Sequence, residues 1–167
     1  QNDWWATEFG GALAEELREH PERFEPQLRE LVESARDVEG DASFAYRRMR
    51  GALHEAQLAL FDDVDVLLTP TMPTAAWRPG EHPETVAGRR LPGGRLGRNF
   101  LLFPFNLIGS PAISVPVGLT GEGLPIGAQL VAPAYEEVRL LRVAAQLEER
   151  IGFVRATPGL DRALAGS

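Results

Sequence analysis

The chain has 167 residues, 44% apolar and 25% charged, with 24 acidic against 17 basic side chains and a net charge of −7. Such a composition excludes disorder as the starting assumption, and the acidic balance gives no electrostatic reason to expect nucleic acid or an anionic membrane as a partner. Cysteine is absent and all 17 basic residues are arginine. Disulfides, thiolate chemistry and zinc–thiolate sites are thereby removed, and so are a Schiff base, a P-loop lysine and a lysine general base.

Residues 4–19 place Trp5, Phe9, Leu13 and Leu17 at i, i+4 spacing, the apolar stripe of a helix, with Glu15, Glu16, Arg18 and Glu19 on the other face. His20-Pro21 ends it, because a residue before proline is pushed out of the α region. A second helix is expected from Glu25-Pro26, with Leu28, Leu31, Val32 and Ala35 inward and Gly40 at its end. A third is expected to be capped by Asp41, burying Ala45, Met49, Ala52, Leu53, Ala56 and Leu60 down to Phe61.

The period then changes. Val64-Asp65-Val66-Leu67-Leu68 is short and β-branched, closes at Thr69-Pro70, and reads as a strand. Residues 70–98 are rich in Pro, Gly and Arg without a clear period, so a long loop is expected there. An apolar block runs from Phe100 to Ile108. Two strands follow, about Ala112–Gly118 and Ile126–Val131, joined as a hairpin through Leu119–Pro125. Pro116 marks a strand end or a bulge. The last helix is expected over 135–151, with Leu140, Ala144, Leu147 and Ile151 inward and Gly152 as its stop. Three strands are few for so many amphipathic helices, which points to a piece of a larger sheet. Uncovered edges would favour homo-oligomers or other self-association. The start at Gln1 rather than Met is also what the interior of a longer polypeptide would show. No apolar run reaches the ~18 residues of a spanning helix and no signal-peptide pattern opens the chain, so no membrane association and a cytoplasmic location are expected.

Taken alone, the residues show no self-sufficient active site. His54-Glu55 lacks the second histidine of the H-E-x-x-H zinc motif, because that position is Leu58. Ser110, in Ile108-Gly109-Ser110-Pro111-Ala112, does not have the G-x-S-x-G frame of a nucleophile elbow. Gly121, Gly123 and Gly127 come near a dinucleotide fingerprint but lead into a strand, so they read as hairpin glycines. Asp62, Asp63 and Asp65 suit a solvated helix end better than a cation site. Arg89, Arg90, Arg95 and Arg98 suit a solvated loop better than an anion site.

Three segments nevertheless carry a resemblance. Asp65-Val66-Leu67-Leu68-Thr69-Pro70-Thr71-Met72-Pro73 resembles the D-v-l-l-t-P-t-x-P segment of the amidase signature family. The run Phe105-Asn106-Leu107-Ile108-Gly109-Ser110-Pro111-Ala112, continuing through Gly118, resembles its f-N-x-x-G-x-P-a-i-s-v-P-x-G. The run Gly123-Leu124-Pro125-Ile126-Gly127-Ala128-Gln129-Leu130-Val131 resembles its g-l-P-i-G-x-q-l-v. All three occur in family order.

The resemblance implies an α/β fold in which residues 1–167 form the C-terminal part of a single amidase-type domain. That part would hold about four helices and three strands, the hairpin included, of a mixed sheet covered by helices. It implies amide hydrolysis by a Ser–Ser–Lys mechanism whose oxyanion is held by a Gly/Ser-rich loop, all in the family's N-terminal half. This sequence has neither that loop nor a lysine. No catalytic residue can therefore be carried over, and the chain alone is expected to be inactive. The implied partners are the missing N-terminal catalytic portion and a small-molecule amide; no cofactor and no metal are implied. Thr71, Phe105, Asn106 and Ile108 are expected to wall the substrate pocket. The alternative is that Pro70, Asn106, Gly109 and Pro111 only set backbone geometry. The stretch Ala42-Ser43-Phe44-Ala45-Tyr46-Arg47-Arg48 is closer to general amidases than to the A subunit of tRNA-dependent amidotransferases. A general amidase is thus favoured over that amidotransferase component, with a non-catalytic binding or assembly module as a further alternative.

Overall fold

The computed structural model describes residues 3–34, 40–78, 81, 83–91 and 99–152. It divides into two compact units, Gln1–Gln57 and Leu58–Ser167, with the boundary inside a long helix.

In the first unit, helix α1 (Asp3–Glu19) stops where Pro21 forbids helical geometry at His20, whose φ and ψ are −134° and 57°. A 3-10 turn (Pro21–Arg23) reverses the chain into α2 (Pro26–Ser34), which has Pro26 at its first position. Leu17, Phe24 and Val32 form the buried cluster, with Leu13 and Leu28 packed against it. The Arg29 guanidinium donates to the Pro21 carbonyl, and Arg23 pairs with Glu16 at 2.9 Å. The side chains of Trp5 and Phe9, and all of Ala35, lie outside the described residues.

Helix α3 (Gly40–Asp63) corrects two expectations. Gly40 opens this helix instead of closing the one before, and Asp41 lies in its first turn. Among its described side chains Tyr46 and Gln57 are buried and Leu53 is half-buried, while Ala45, Met49, Ala52, Ala56 and Leu60 are exposed. Alanines scattered around this helix make several phases of the 3.6-residue pattern fit equally well. The larger Tyr46 settles the phase that the small residues leave open.

In the second unit, strands β1 (Leu67–Pro70), β4 (Ala112–Leu119) and β5 (Pro125–Val131) form a sheet of order β1-β5-β4, in which β5 is antiparallel to both neighbours. The register pairs Leu68 with Leu130 and Ile113 with Leu130. Side chains alternate across a strand, so Ile113, Val115 and Leu130 share one face. Helix α5 (Glu137–Ile151) packs Leu140 and Ala144 onto Val115, Leu130 and Ala132 there. Gly152 ends α5 in the left-handed conformation at φ 60°, and its N–H donates to the Glu148 carbonyl. Ile151, expected inward, is 37% exposed in that last turn.

The β4–β5 hairpin turns through Thr120–Leu124. Thr120 Oγ1 accepts from the Leu124 N–H at 3.1 Å, and Gly123 takes φ 82°. Pro116 pairs with Gly127 and Gly118 with Ile126, leaving Val117 as the extra residue of a bulge.

The first strand begins at Leu67, later than the expected 64–68, because the ladder to β5 starts at the Leu67–Val131 pair. Asp65 is instead held by Arg139, at 2.7 Å, and Arg139 also reaches Glu136 at 3.3 Å. These groups are largely exposed, so Arg139→Ala is expected to cost under about 1 kcal/mol. The gap between the melting temperatures of parent and variant should narrow from low to ~1 M salt.

The stretch 70–98 is not wholly irregular. β2 (Thr85–Val86) and β3 (Arg89–Arg90) pair as a short ribbon around Ala87 and Gly88, both at positive φ, as a tight primed turn requires. Helix α4 (Phe103–Ile108) follows, with Pro104 in its first turn, and ends at Gly109 with φ 75°. The ribbon and α4 add to the expected four helices and three strands. The α/β class itself, with helix on antiparallel sheet, is observed. No helix among the described residues is long and apolar enough to cross a membrane.

Candidate functional site

The sheet face opposite α5 is polar along its middle row. Thr69, Gln129 and Ser114 are cross-strand partners on β1, β5 and β4. Gln129 is only 3% exposed. Its Nε2 donates to Thr69 Oγ1 at 3.0 Å and to the Leu101 carbonyl at 3.1 Å. Two residues further along the chain from Thr69, the Thr71 N–H donates to the Gly127 carbonyl at 3.0 Å, carrying the pairing past Pro70. Thr71 Oγ1 and Ser114 Oγ meet at 2.6 Å. They meet directly over Gly127. A Cβ there would lie 2.8 Å from Ser114 Oγ and 2.9 Å from Thr71 Oγ1. The glycine is what lets two strands separated by a third exchange a hydrogen bond.

This hydroxyl pair lines a groove of about 730 Å³. Pro73, Trp77, Pro116 and Ile126 supply apolar wall, and Thr71 and Ser114 supply hydroxyls. Thr74 Oγ1 is buried without a hydrogen-bond partner. Among the described residues no titratable side chain lines the groove. Hydroxyls without an adjacent base are weak nucleophiles, so the chemistry on offer here is hydrogen bonding and apolar contact.

Of the four residues expected at a pocket wall, Thr71 lines this groove. Phe105, Asn106 and Ile108 lie on α4, with Phe105 and Ile108 half-buried and Asn106 exposed, and none of the three is among the groove's lining residues. The Phe105 carbonyl accepts the N–H of Ser110 at 3.0 Å, closing the turn after α4. Gln129, Ser114 and Gly127 were not singled out from the sequence as site residues. Their signal was a set of polar or minimal residues at alternate positions of otherwise apolar strands.

His54 is exposed on α3, and His20 lies 3.6 Å from Glu22. Asp62 and Asp63 are exposed at the end of α3. Gly121 and Gly123 are in the hairpin turn. His82, Arg95 and Arg98 lie outside the described residues. Among the described residues no group of three or more His, Cys, Asp or Glu side chains is placed to hold a metal ion.

A helix-on-antiparallel-sheet unit with a hydroxyl-lined groove fits many activities, and comparison with known proteins narrows the class. Residues 13–141 match the family model described as Amidase, and the chain belongs to the amidase family. The A subunit of the glutamyl-tRNA(Gln) amidotransferase from Synechococcus sp. (strain RCC307) is 51% identical over 98 residues, which are 59% of this chain and 19% of that protein. A crystal structure of an amidase superposes with a TM-score of 0.76 at 29% identity, over 87% of this chain and 33% of the other. A 6-aminohexanoate cyclic dimer hydrolase complexed with substrate superposes at 0.68 with 31% identity, over 94% of this chain and 36% of the other. The chain thus spans about one fifth of the curated relative's length and about one third of the solved structures.

Proposed function

We propose that this chain is the C-terminal portion of an enzyme that hydrolyses a small carboxamide, and that the residues performing bond cleavage lie in polypeptide outside these 167 positions. One observation carries the reading. The chain matches the amidase family, yet it contains no lysine, and among the described residues its groove offers hydroxyls with no base. In the proposed mechanism an external lysine takes the nucleophilic serine's proton through a bridging serine, and the serine attacks the amide carbonyl while backbone N–H groups hold the oxyanion. The C–N bond breaks as that proton passes to the departing amine, and water releases the acyl group as a carboxylic acid. This chain contributes pocket wall. Thr71 offers a hydroxyl from the end of β1, while Phe105, Asn106 and Ile108 present apolar surface and one carboxamide from α4. No cofactor takes part, and the setting is cytoplasmic. The missing portion is the principal partner, and self-association is expected when it is absent.

The purified 167-residue chain should release no ammonia from a panel of small carboxamides. The same chain supplied with a polypeptide bearing the family's Ser–Ser–Lys elements should release it. Turnover by the highly purified chain alone would defeat the proposal.

A second reading, the A subunit of a tRNA-dependent amidotransferase, is favoured by the 51% identity to such a protein. It requires the completed enzyme to transfer an amide group to glutamyl-tRNA(Gln), which hydrolysis of small carboxamides does not.

A further inference from the structure

We infer that Gln129 is a positioning residue, whose buried carboxamide fixes the segment leading into α4 against the polar face of the sheet and so sets where Phe105, Asn106 and Ile108 stand. The consequence for turnover rests on the amidase reading above; the structural consequence does not.

Gln129 occupies the middle of the central strand, with a neighbouring strand on either side. An amide buried to this degree is costly unless its N–H groups are used. Both are used. One goes to Thr69 Oγ1 on β1, and the other crosses to the Leu101 carbonyl, 28 residues away in sequence. A backbone carbonyl can only accept, so the bond to Leu101 also fixes which end of the side chain is nitrogen.

Leu101 lies inside a turn closed by the Leu102 N–H on the Asn99 carbonyl at 2.8 Å. The Leu102 carbonyl in turn accepts the Asn106 N–H at 3.2 Å. The turn and the helix are therefore one hydrogen-bonded piece. Helix α4 has six residues. That is far too few to hold its own shape in water, so its position depends on anchors. Leu107 is buried and supplies the apolar anchor. The Gln129–Leu101 bond adds a polar anchor with a defined distance and direction.

Two variants separate this role from general stability. Gln129→Leu keeps the bulk and removes both donors. Thr69→Val removes only the acceptor on β1 and leaves the bond to Leu101. In the 167-residue chain, hydrogen exchange should quicken on the order of tenfold at the Asn106 and Ser110 amides in Gln129→Leu, against the β4–β5 amides as internal reference. Thr69→Val should leave those two amides within about twofold of the parent. Equal acceleration of the whole sheet in Gln129→Leu, no acceleration at α4, or the same acceleration from Thr69→Val would each overturn the inference.

In the catalytically completed amidase, Gln129→Leu should raise KM about tenfold with kcat changed by less than about twofold, since the reacting groups are untouched. Quickened exchange with an unchanged KM would leave the strut standing and remove α4 from the proposed pocket. A completed parent enzyme without amidase activity would end the functional reading, while the exchange result would still decide the role of Gln129.

Discussion

Leu140→Ala should lower the stability of the second unit by about 2–5 kcal/mol, while Leu141→Ala, one residue on, should change it by less than about 0.5 kcal/mol. The two side chains are chemically the same and share one helix. Leu140 is 3% exposed and Leu141 is 58% exposed. Truncating Leu140 removes its transfer free energy and leaves a hole walled by Val115, Leu130 and Ala144. Val115 and Leu130 lie on hydrogen-bonded strands, so the wall cannot collapse inward without breaking the ladder. Truncating Leu141 removes a group already in water. Urea titrations of parent and both variants, followed by far-UV circular dichroism, provide the measurement. The expected result is a lower midpoint at unchanged slope for the first variant only. Equal midpoints would mean that α5 does not pack on the sheet by this face.

The same helix shows which features were legible in the sequence. Leu140, Ala144 and Leu147 recur at helical spacing among charged residues, so face and end were both readable, and Gly152 stops the helix as expected. The hairpin was readable because Gly and Pro punctuate it and because Pro116 cannot donate to a neighbouring strand, which placed the bulge. Helix α3 was readable in extent but not in phase, since alanine is compatible with any face. The β2–β3 ribbon was hidden because its whole signal is Ala87-Gly88 between two-residue strands. The polar row was hidden for a different reason. Thr69, Ser114 and Gln129 lie far apart in sequence, with 60 positions separating the bonded pair Thr69 and Gln129. Only the register of three strands brings them into line. Thr71 was named from the resemblance alone, and its bond to Ser114 spans 43 residues. Periodicity reports the face a residue takes; it carries no information about which strand lies beside it.

Gly127→Ala should destabilise the second unit by about 1–3 kcal/mol and break the hydroxyl contact between Thr71 and Ser114. The new methyl would sit 2.8 Å from Ser114 Oγ, 2.9 Å from Thr71 Oγ1 and 3.3 Å from Thr71 Cβ. The hydroxyls can escape by rotating about χ1, but rotation costs their mutual hydrogen bond at 2.6 Å. Thr71 Cβ has no such freedom, because the Thr71 N–H is held by the Gly127 carbonyl. Strain must therefore pass into the pairing of β1 with β5. Removing one obstacle should recover part of the loss. In Gly127→Ala combined with Ser114→Ala, the 2.8 Å clash disappears and the Thr71 contact remains, so the double variant should be more stable than the sum of the single effects predicts. Strict additivity would mean that the methyl is accommodated without touching Ser114. Gly127→Val should be worse than Gly127→Ala in every background, since its extra methyls enter the space where Thr71 and Ser114 meet. Any ligand that takes hydrogen bonds from that hydroxyl pair should lose affinity in Gly127→Ala even where the protein stays folded. A groove variant that stays folded and binds unchanged would show that the polar end of the groove is scaffold and not site.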